Sequence, residues 1–205
     1  MRPADIVRTC RQKGIDRLAV TDHNTIRGAL EMHALAPDLV IVGEEIMTTQ
    51  GELLAYFVKE EIPRGLSPVE TINRLRAQGA AISVSHPFDR LRHGAWREAD
   101  LAAILPLVDA IEVFNSRCIY SEDNDRALAF ARKNAKLGTV GSDAHWHSEF
   151  GVAVLRVPQA PTSGAEFVAA LARAESATRL SSPLIHFTST FARIWKKVKR
   201  FIGPQ

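Results

Sequence analysis

The sequence predicts an α/β fold, a β/α barrel built largely on parallel strands. Three observations lead there. Short apolar segments alternate with amphipathic ones along nearly all of the 205 residues, and strands joined by helical crossovers run parallel. The composition, 46% hydrophobic and 24% charged, is too apolar for a disordered chain. Strand after strand also ends in an acid or a histidine: Asp22/His23, Glu45, His86, Glu112/Asn115 and Asp143/His145. An open doubly wound sheet fits the alternation equally well but concentrates its site at one switch point. A barrel gathers every strand end at one mouth, and the spread of polar residues favours it.

In chain order, Asp5–Lys13 sets Ile6, Val7 and Cys10 on one helical face and stops at Gly14, placed as a C′ residue. The strand Arg17–Val20 runs into Thr21-Asp22-His23, and Asn24 or Thr25 caps a helix through about His33. Leu39–Val42, ending in Gly43-Glu44-Glu45, and Leu53–Val58 read as the next strands. Ser67-Pro68-Val69-Glu70 has the form of a capping box with proline at N1, opening a helix that ends at Gly79. The strand Ala80–Val84 delivers Ser85-His86-Pro87. A helix over Arg97–Leu105 leads to the strand Ala110–Phe114 and to Asn115-Ser116-Arg117. Ser121 opens a long helix to about Leu137, closed by Gly138, and Thr139–Gly141 delivers Ser142-Asp143-Ala144-His145. Val152–Val157 reads as one more strand, and Ser163–Glu166 as a second capping box opening a helix to about Ala174.

Residues 1–182 thus read as one barrel domain, with a linker at Ser181–Pro183 and a basic amphipathic helix over 183–205. In that tail Phe191, Ile194, Val198 and Phe201 recur at helical spacing, with Trp195 beside them and lysines opposite. Docking of the apolar face on the barrel is the favoured reading; weak contact with an anionic membrane surface is the other. The tail also explains the pI of 9.1. Its last fifteen residues hold five basic residues and no acid against a whole-chain charge of +3, so the preceding 190 are net acidic by two. A groove for duplex nucleic acid is therefore not expected.

Other classes are excluded as directly. The longest uncharged apolar run, Leu101–Val108, is too short for a bilayer. Met1–Gly14 has no apolar signal core, so a cytoplasmic location is expected. Cys10 and Cys118 cannot make a disulfide framework, and no base is paired with either. Neither a Gly-x-Ser-x-Gly elbow nor a phosphate-binding Walker loop occurs.

Histidines mixed with carboxylates are ligands for zinc, manganese or iron. Several carboxylates in one cleft repel unless a cation compensates them. Two cations about 4 Å apart could activate a water and neutralise a phosphoryl oxygen. Each motif alone has a plainer reading: Asp22 as a helix cap, Glu44 and Glu45 as solvated acids, His86 as a loop residue. Their repeated position after a strand is what carries the argument. Arg90, Arg92 and Arg117 stand where phosphate clamps could be, as solvated loop arginines also could.

Thr21-Asp22-His23-Asn24-Thr25, Gly43-Glu44-Glu45, Ser85-His86-Pro87, Ile111–Asn115 and Gly141–His145 together resemble the successive motifs of the PHP (polymerase and histidinol phosphatase) family, in order and spacing over residues 4–190. The resemblance implies a distorted, seven-stranded, TIM-like β/α barrel with up to three divalent metals (Mn, Zn, Fe or Mg) at its mouth, hydrolysing phosphate esters. His23 and His145 would share one metal, Glu45 would bridge two, and His86 and Asp143 would complete the bridged pair. Glu52 falls where many relatives carry a histidine ligand. Asp22 would orient His23, and Asp22, Asp143 and His145 make up the catalytic set; Arg90, Arg92, Asn115 and Arg117 would face the substrate.

The family's first motif, a strand ending in His-x-His, would precede the helix that begins near Arg2. The sequence starts about 20–25 residues later, the length of a strand plus a site loop. The barrel is therefore expected to lack its first strand and some of its ligands, the true start lying upstream of Met1. The expected activity is metal-dependent hydrolysis of a small phosphomonoester, such as a nucleotide, short oligonucleotide or metabolite phosphate. A non-catalytic binding module with the same barrel, and amide or ester hydrolysis by similar ligands, are the other readings.

Overall fold

Only four residues separate the second strand from the third, and that short connection decides the topology. In the computed structural model, which describes residues 1–182, six strands form one sheet in the order β1-β2-β3-β4-β5-β6. They are β1 (Leu18–Val20), β2 (Val40–Met47), β3 (Glu52–Tyr56), β4 (Ala81–Val84), β5 (Ala110–Asn115) and β6 (Leu137–Gly141). β1 lies parallel to β2, and β4, β5 and β6 are parallel to one another. β3 is antiparallel to both neighbours. The expectation of strands linked by helical crossovers fails at β3, because a parallel return needs a dozen or more residues where a four-residue loop makes a hairpin.

This correction matters for the site. The five parallel strands end at one rim; β3 runs the other way, so its first residue, Glu52, lies at that same rim opposite Met47. The sheet curls into a half-barrel whose inner faces, from β1 round to β6, line a cleft of about 1120 Å³. The seven-stranded barrel is not what the described residues form. β7 (Ala153–Arg156) and β8 (Glu175–Thr178) make a separate antiparallel pair, and β8, a polar Glu-Ser-Ala-Thr run, carried no apolar alternation to announce it.

Among the described residues six α-helices pack beside the sheet: α1 (Pro3–Gln12), α2 (Arg27–Leu35), α3 (Pro68–Ala77), α4 (Glu98–Ile104), α5 (Ser121–Lys133) and α6 (Gly164–Leu171). α3 and α6 start where Ser67 and Ser163 accept the backbone N–H three residues on. The glutamates of the two expected capping boxes are used elsewhere, Glu70 on Arg74 and Glu166 on Thr162. α5 ends earlier than expected. Ala135 takes the left-handed turn (φ 51°) and Lys136 N–H returns to the Ala131 carbonyl, while Gly138 lies inside β6, where a Cβ would press on Val113.

The main core lies between the sheet and α3–α5 and includes Ile46, Leu53, Ile72, Leu75, Ile82, Leu101 and Ile111. A second cluster joins α1 and α2 to β2 through Val7, Cys10, Met32 and Val40. Phe167 of α6 stacks on Tyr56 with ring centroids 4.8 Å apart. Among the described residues no helix is long and apolar enough to cross a membrane. The expected amphipathic tail, 183–205, lies outside the described residues.

Ile82 is 1% exposed in the main core. Ile82→Ala is expected to destabilise the chain by about 2–5 kcal/mol, read as a lower urea midpoint at unchanged slope.

Candidate metal centre

β1 ends in a turn that is stitched to β2. His23 pairs with Glu45 in a single parallel bridge, Asn24 N–H donates to the Glu45 carbonyl at 2.8 Å, and Glu45 N–H donates to the Asp22 carbonyl at 3.2 Å. Asn24 adopts φ 54°, which asparagine tolerates better than most residues, and its Oδ1 accepts from Met47 N–H. The turn therefore sets the His23 ring over Glu45. Strand alternation does the rest: Glu45 faces the cleft and Glu44 the other side, where its Oε2 accepts from Ile62 N–H. Burial raises the Glu44 carboxyl to about 7.

Four side chains meet at the rim. His23 Nδ1 lies 3.2 Å from Glu45 Oε2 and 3.4 Å from Glu52 Oε1. His86 Nε2 lies 3.1 Å from Glu45 Oε1 and 3.4 Å from Glu52 Oε2. The two carboxylates thus stand between the two imidazoles, each giving one oxygen to each ring. Ser85 Oγ donates to Glu45 Oε1 at 2.7 Å, and His86 N–H donates to Glu112 Oε2 at 2.8 Å. Glu52 is walled in by the loop after β4: its N–H bonds the Gly94 carbonyl, its carbonyl accepts from the Trp96 indole, and Gly94 abuts its carboxylate.

Burial disfavours the Glu45 anion, but the His86 hydrogen bond, the nearby His23 and Ser85 outweigh it and hold the carboxyl down at about 2. Burial likewise opposes a charged His86, yet Glu45 and Glu112 raise the imidazole to about 9. Glu52 and Glu45 raise His23. Glu112 is carried up to about 7 chiefly by its own burial. The crowded carboxylates thus favour the protonated form of both histidines, most strongly at His86. Two imidazoles and two carboxylates are also a fitting set for a divalent cation. His86 faces both carboxylates through Nε2. Ligand atoms of His23, Glu45 and Glu52 lie within 4.8 Å of one another.

The other expected site residues lie around this cluster. Asp143, in left-handed backbone (φ 46°), pairs with the Arg92 guanidinium. His145 is exposed and directs Nδ1 at the Asp143 carbonyl, 2.7 Å away. Arg92 Nε also lies 3.5 Å from the buried Asp89. Arg90 is engaged by Asp123 and lies over the Tyr120 ring. Arg117 is buried against Glu149. Asn115 turns Nδ2 toward Glu112. Asp22 is exposed, its carboxylate close against Gly28 of α2. Sequence reasoning did not find Asp89, Ser85 as a partner of Glu45, or Glu149; a serine or acid beside a motif has no spacing signal that marks it.

His86 must lose its proton to ligate. Cation uptake at pH 7 is therefore expected to release protons, and affinity to climb with pH and level off only above about 9, where His86 becomes mostly neutral. Calorimetry in buffers of different ionisation enthalpy checks this; no proton release at pH 7 would contradict it. Gly94→Ala, whose Cβ would collide with the Glu52 carboxylate, is expected to weaken Mn²⁺ binding at least about tenfold in the same titration.

Comparisons with known proteins bear on the fold. Residues 121–176 match the PHP-associated family model. An uncharacterized Methanocaldococcus jannaschii protein, MJ1587, is 41% identical over 117 residues, which is 56% of this chain and 66% of that one, so the match spans just under two-thirds of the relative. A two-domain Bacteroides vulgatus protein, described as containing a predicted PHP-like metal-dependent phosphoesterase, shares the fold with a TM-score of 0.65 at 17% identity, over 85% of this chain and 60% of that one. A Bifidobacterium adolescentis protein described as a candidate metal-dependent phosphoesterase superposes with a TM-score of 0.58 at 17% identity, over 83% and 90% of the two chains. The matched segment 121–176 is similar to PHP-associated proteins, and the fold is shared with structures described as PHP-like.

Proposed function

We propose that the chain is a metal-dependent phosphoesterase that hydrolyses a small phosphomonoester. The observation that carries the reading is the convergence of His23, Glu45, Glu52 and His86, with nitrogen–oxygen separations of 3.1–3.4 Å, at the rim of an open cleft. A divalent cation held by these four would supply an acidified water and positive charge for the phosphoryl oxygens. Asp143 and His145, carried to the same rim by β6, would hold a neighbouring cation beside the one held by these four.

The remaining groups prepare that chemistry. Ser85 and His86 keep Glu45 ionised, so it serves as a ligand and not as a proton store. Glu112 fixes the His86 main chain and, at about 7, can hold or give up a proton near neutrality. Arg92, paired with Asp89 and with Asp143, a proposed ligand, is the candidate phosphate clamp tied to the proposed metal set. Arg90 and Arg117 carry carboxylate partners of their own, and Asn115 faces Glu112. Asp22 is proposed to act on His23 through the turn they share. The substrates proposed are nucleotides, short oligonucleotides or metabolite phosphates, in a cytoplasmic setting.

A non-catalytic module is the second reading, and one observation favours it: the Asp143 carboxylate is already paired with Arg92. Metal analysis separates the two, an enzyme retaining two or more ions per chain and a module one or none. For the enzyme, Mn²⁺-dependent hydrolysis of p-nitrophenyl phosphate is expected, falling at least about 100-fold in His86→Ala. Arg92→Ala is expected to raise KM about tenfold. Hydrolysis that survives both chelation and His86→Ala would contradict the reading.

A further inference from the structure

Asp143 and His145 sit on a stretch with no regular secondary structure, and Asp143 holds a left-handed backbone that non-glycine residues rarely adopt. Such a backbone persists only where its surroundings over-determine it. One group does much of this. Glu149 is 1% exposed, and its Oε2 accepts from the N–H of His145 at 2.7 Å and of Trp146 at 3.0 Å. Arg117 Nη1 lies 3.2 and 3.3 Å from the two Glu149 oxygens, so the buried charge is met within the protein. Arg117 belongs to the loop after β5, and Glu149 therefore ties that loop to the one after β6. Ser116 Oγ, donating to the Ser142 carbonyl at 2.7 Å, crosses the same junction. The far end of the stretch has a separate clamp, Lys13 Nζ on the carbonyls of His147, Ser148 and Phe150.

We propose that Glu149 is the positioning residue of the metal centre, its carboxylate fixing the main chain from which Asp143 and His145 reach the cation. This rests on the reading that those two side chains serve the centre. The carboxylate is suited to the task because its oxygens serve both main-chain N–H groups and the guanidinium together. An amide in its place would turn an N–H toward one of these donors. Partners that orient ligands typically set metal affinity without touching the metal.

Glu149 also caps the 3-10 turn His147–Glu149, and a merely structural role has to be told apart from positioning. Mn²⁺ titrations followed by electron paramagnetic resonance compare the wild-type chain with Glu149→Ala, Glu149→Gln and Lys13→Met, each verified as folded by circular dichroism. Both Glu149 variants are expected to weaken Mn²⁺ binding by roughly 10–100-fold. Lys13→Met, which loosens the same stretch from its other end, is expected to change it by no more than about twofold. Should Glu149→Ala not fold, Glu149→Gln carries the comparison. Unchanged affinity in a folded Glu149 variant, or an equal loss in Lys13→Met, overturns the proposal. A wild-type chain that binds no Mn²⁺ overturns the metal-centre reading itself, and the role of Glu149 with it.

Discussion

The carboxylates of Glu45, Glu52 and Glu112 are all buried around one cleft, and their mutual repulsion is the constraint that the surrounding structure answers. Left uncompensated, clustered anions out of water protonate or force the chain apart. Here the compensation is built in: His23 and His86 face Glu45 and Glu52, Ser85 and the His86 N–H supply neutral donors, and Arg92 meets Asp143. A site whose acids favour protonated imidazoles is also one where a divalent cation could take the place of those protons. Metal affinity and the spread of acidities are two readings of one electrostatic arrangement.

Topology makes that arrangement possible. Parallel strands bring residues from distant parts of the chain to one rim, as barrels do. The reversed strand β3 adds Glu52, a residue that a wholly parallel sheet would have sent to the opposite end. The loop after β4 then closes over it through Gly94 and Trp96, so a tight backbone approach fixes the position of the Glu52 carboxylate. The ties across the ends of β5 and β6 do the same for the stretch that carries Asp143 and His145. In each case packing behind the rim sets the geometry at the rim.

Much of this was legible in the sequence, and the failures have physical causes. The alternating pattern located β1, β2, β4 and β5, and serine caps marked α3 and α6, because apolar period and capping chemistry are local properties. The direction of β3 was missed because the sequence pattern ended β2 at Val42, leaving a connection long enough for other topologies; β2 in fact runs on to Met47 and leaves only four residues. β8 was invisible because its pairing with β7 owes nothing to apolar burial. At the site, histidines and acids at strand ends are recognisable one by one. Contacts such as Ser85 with Glu45, Asp89 with Arg92, or Glu149 with the His145 main chain arise only from folding, and no spacing encodes them.

The central claim is that His23, Glu45, Glu52 and His86 jointly grip one divalent cation. Crystals soaked in Zn²⁺ and measured on either side of the zinc absorption edge test it most directly. The account predicts an anomalous peak among these four side chains, with ligand distances of about 2.0–2.2 Å. A peak elsewhere, or none where the four side chains keep their positions, would contradict it.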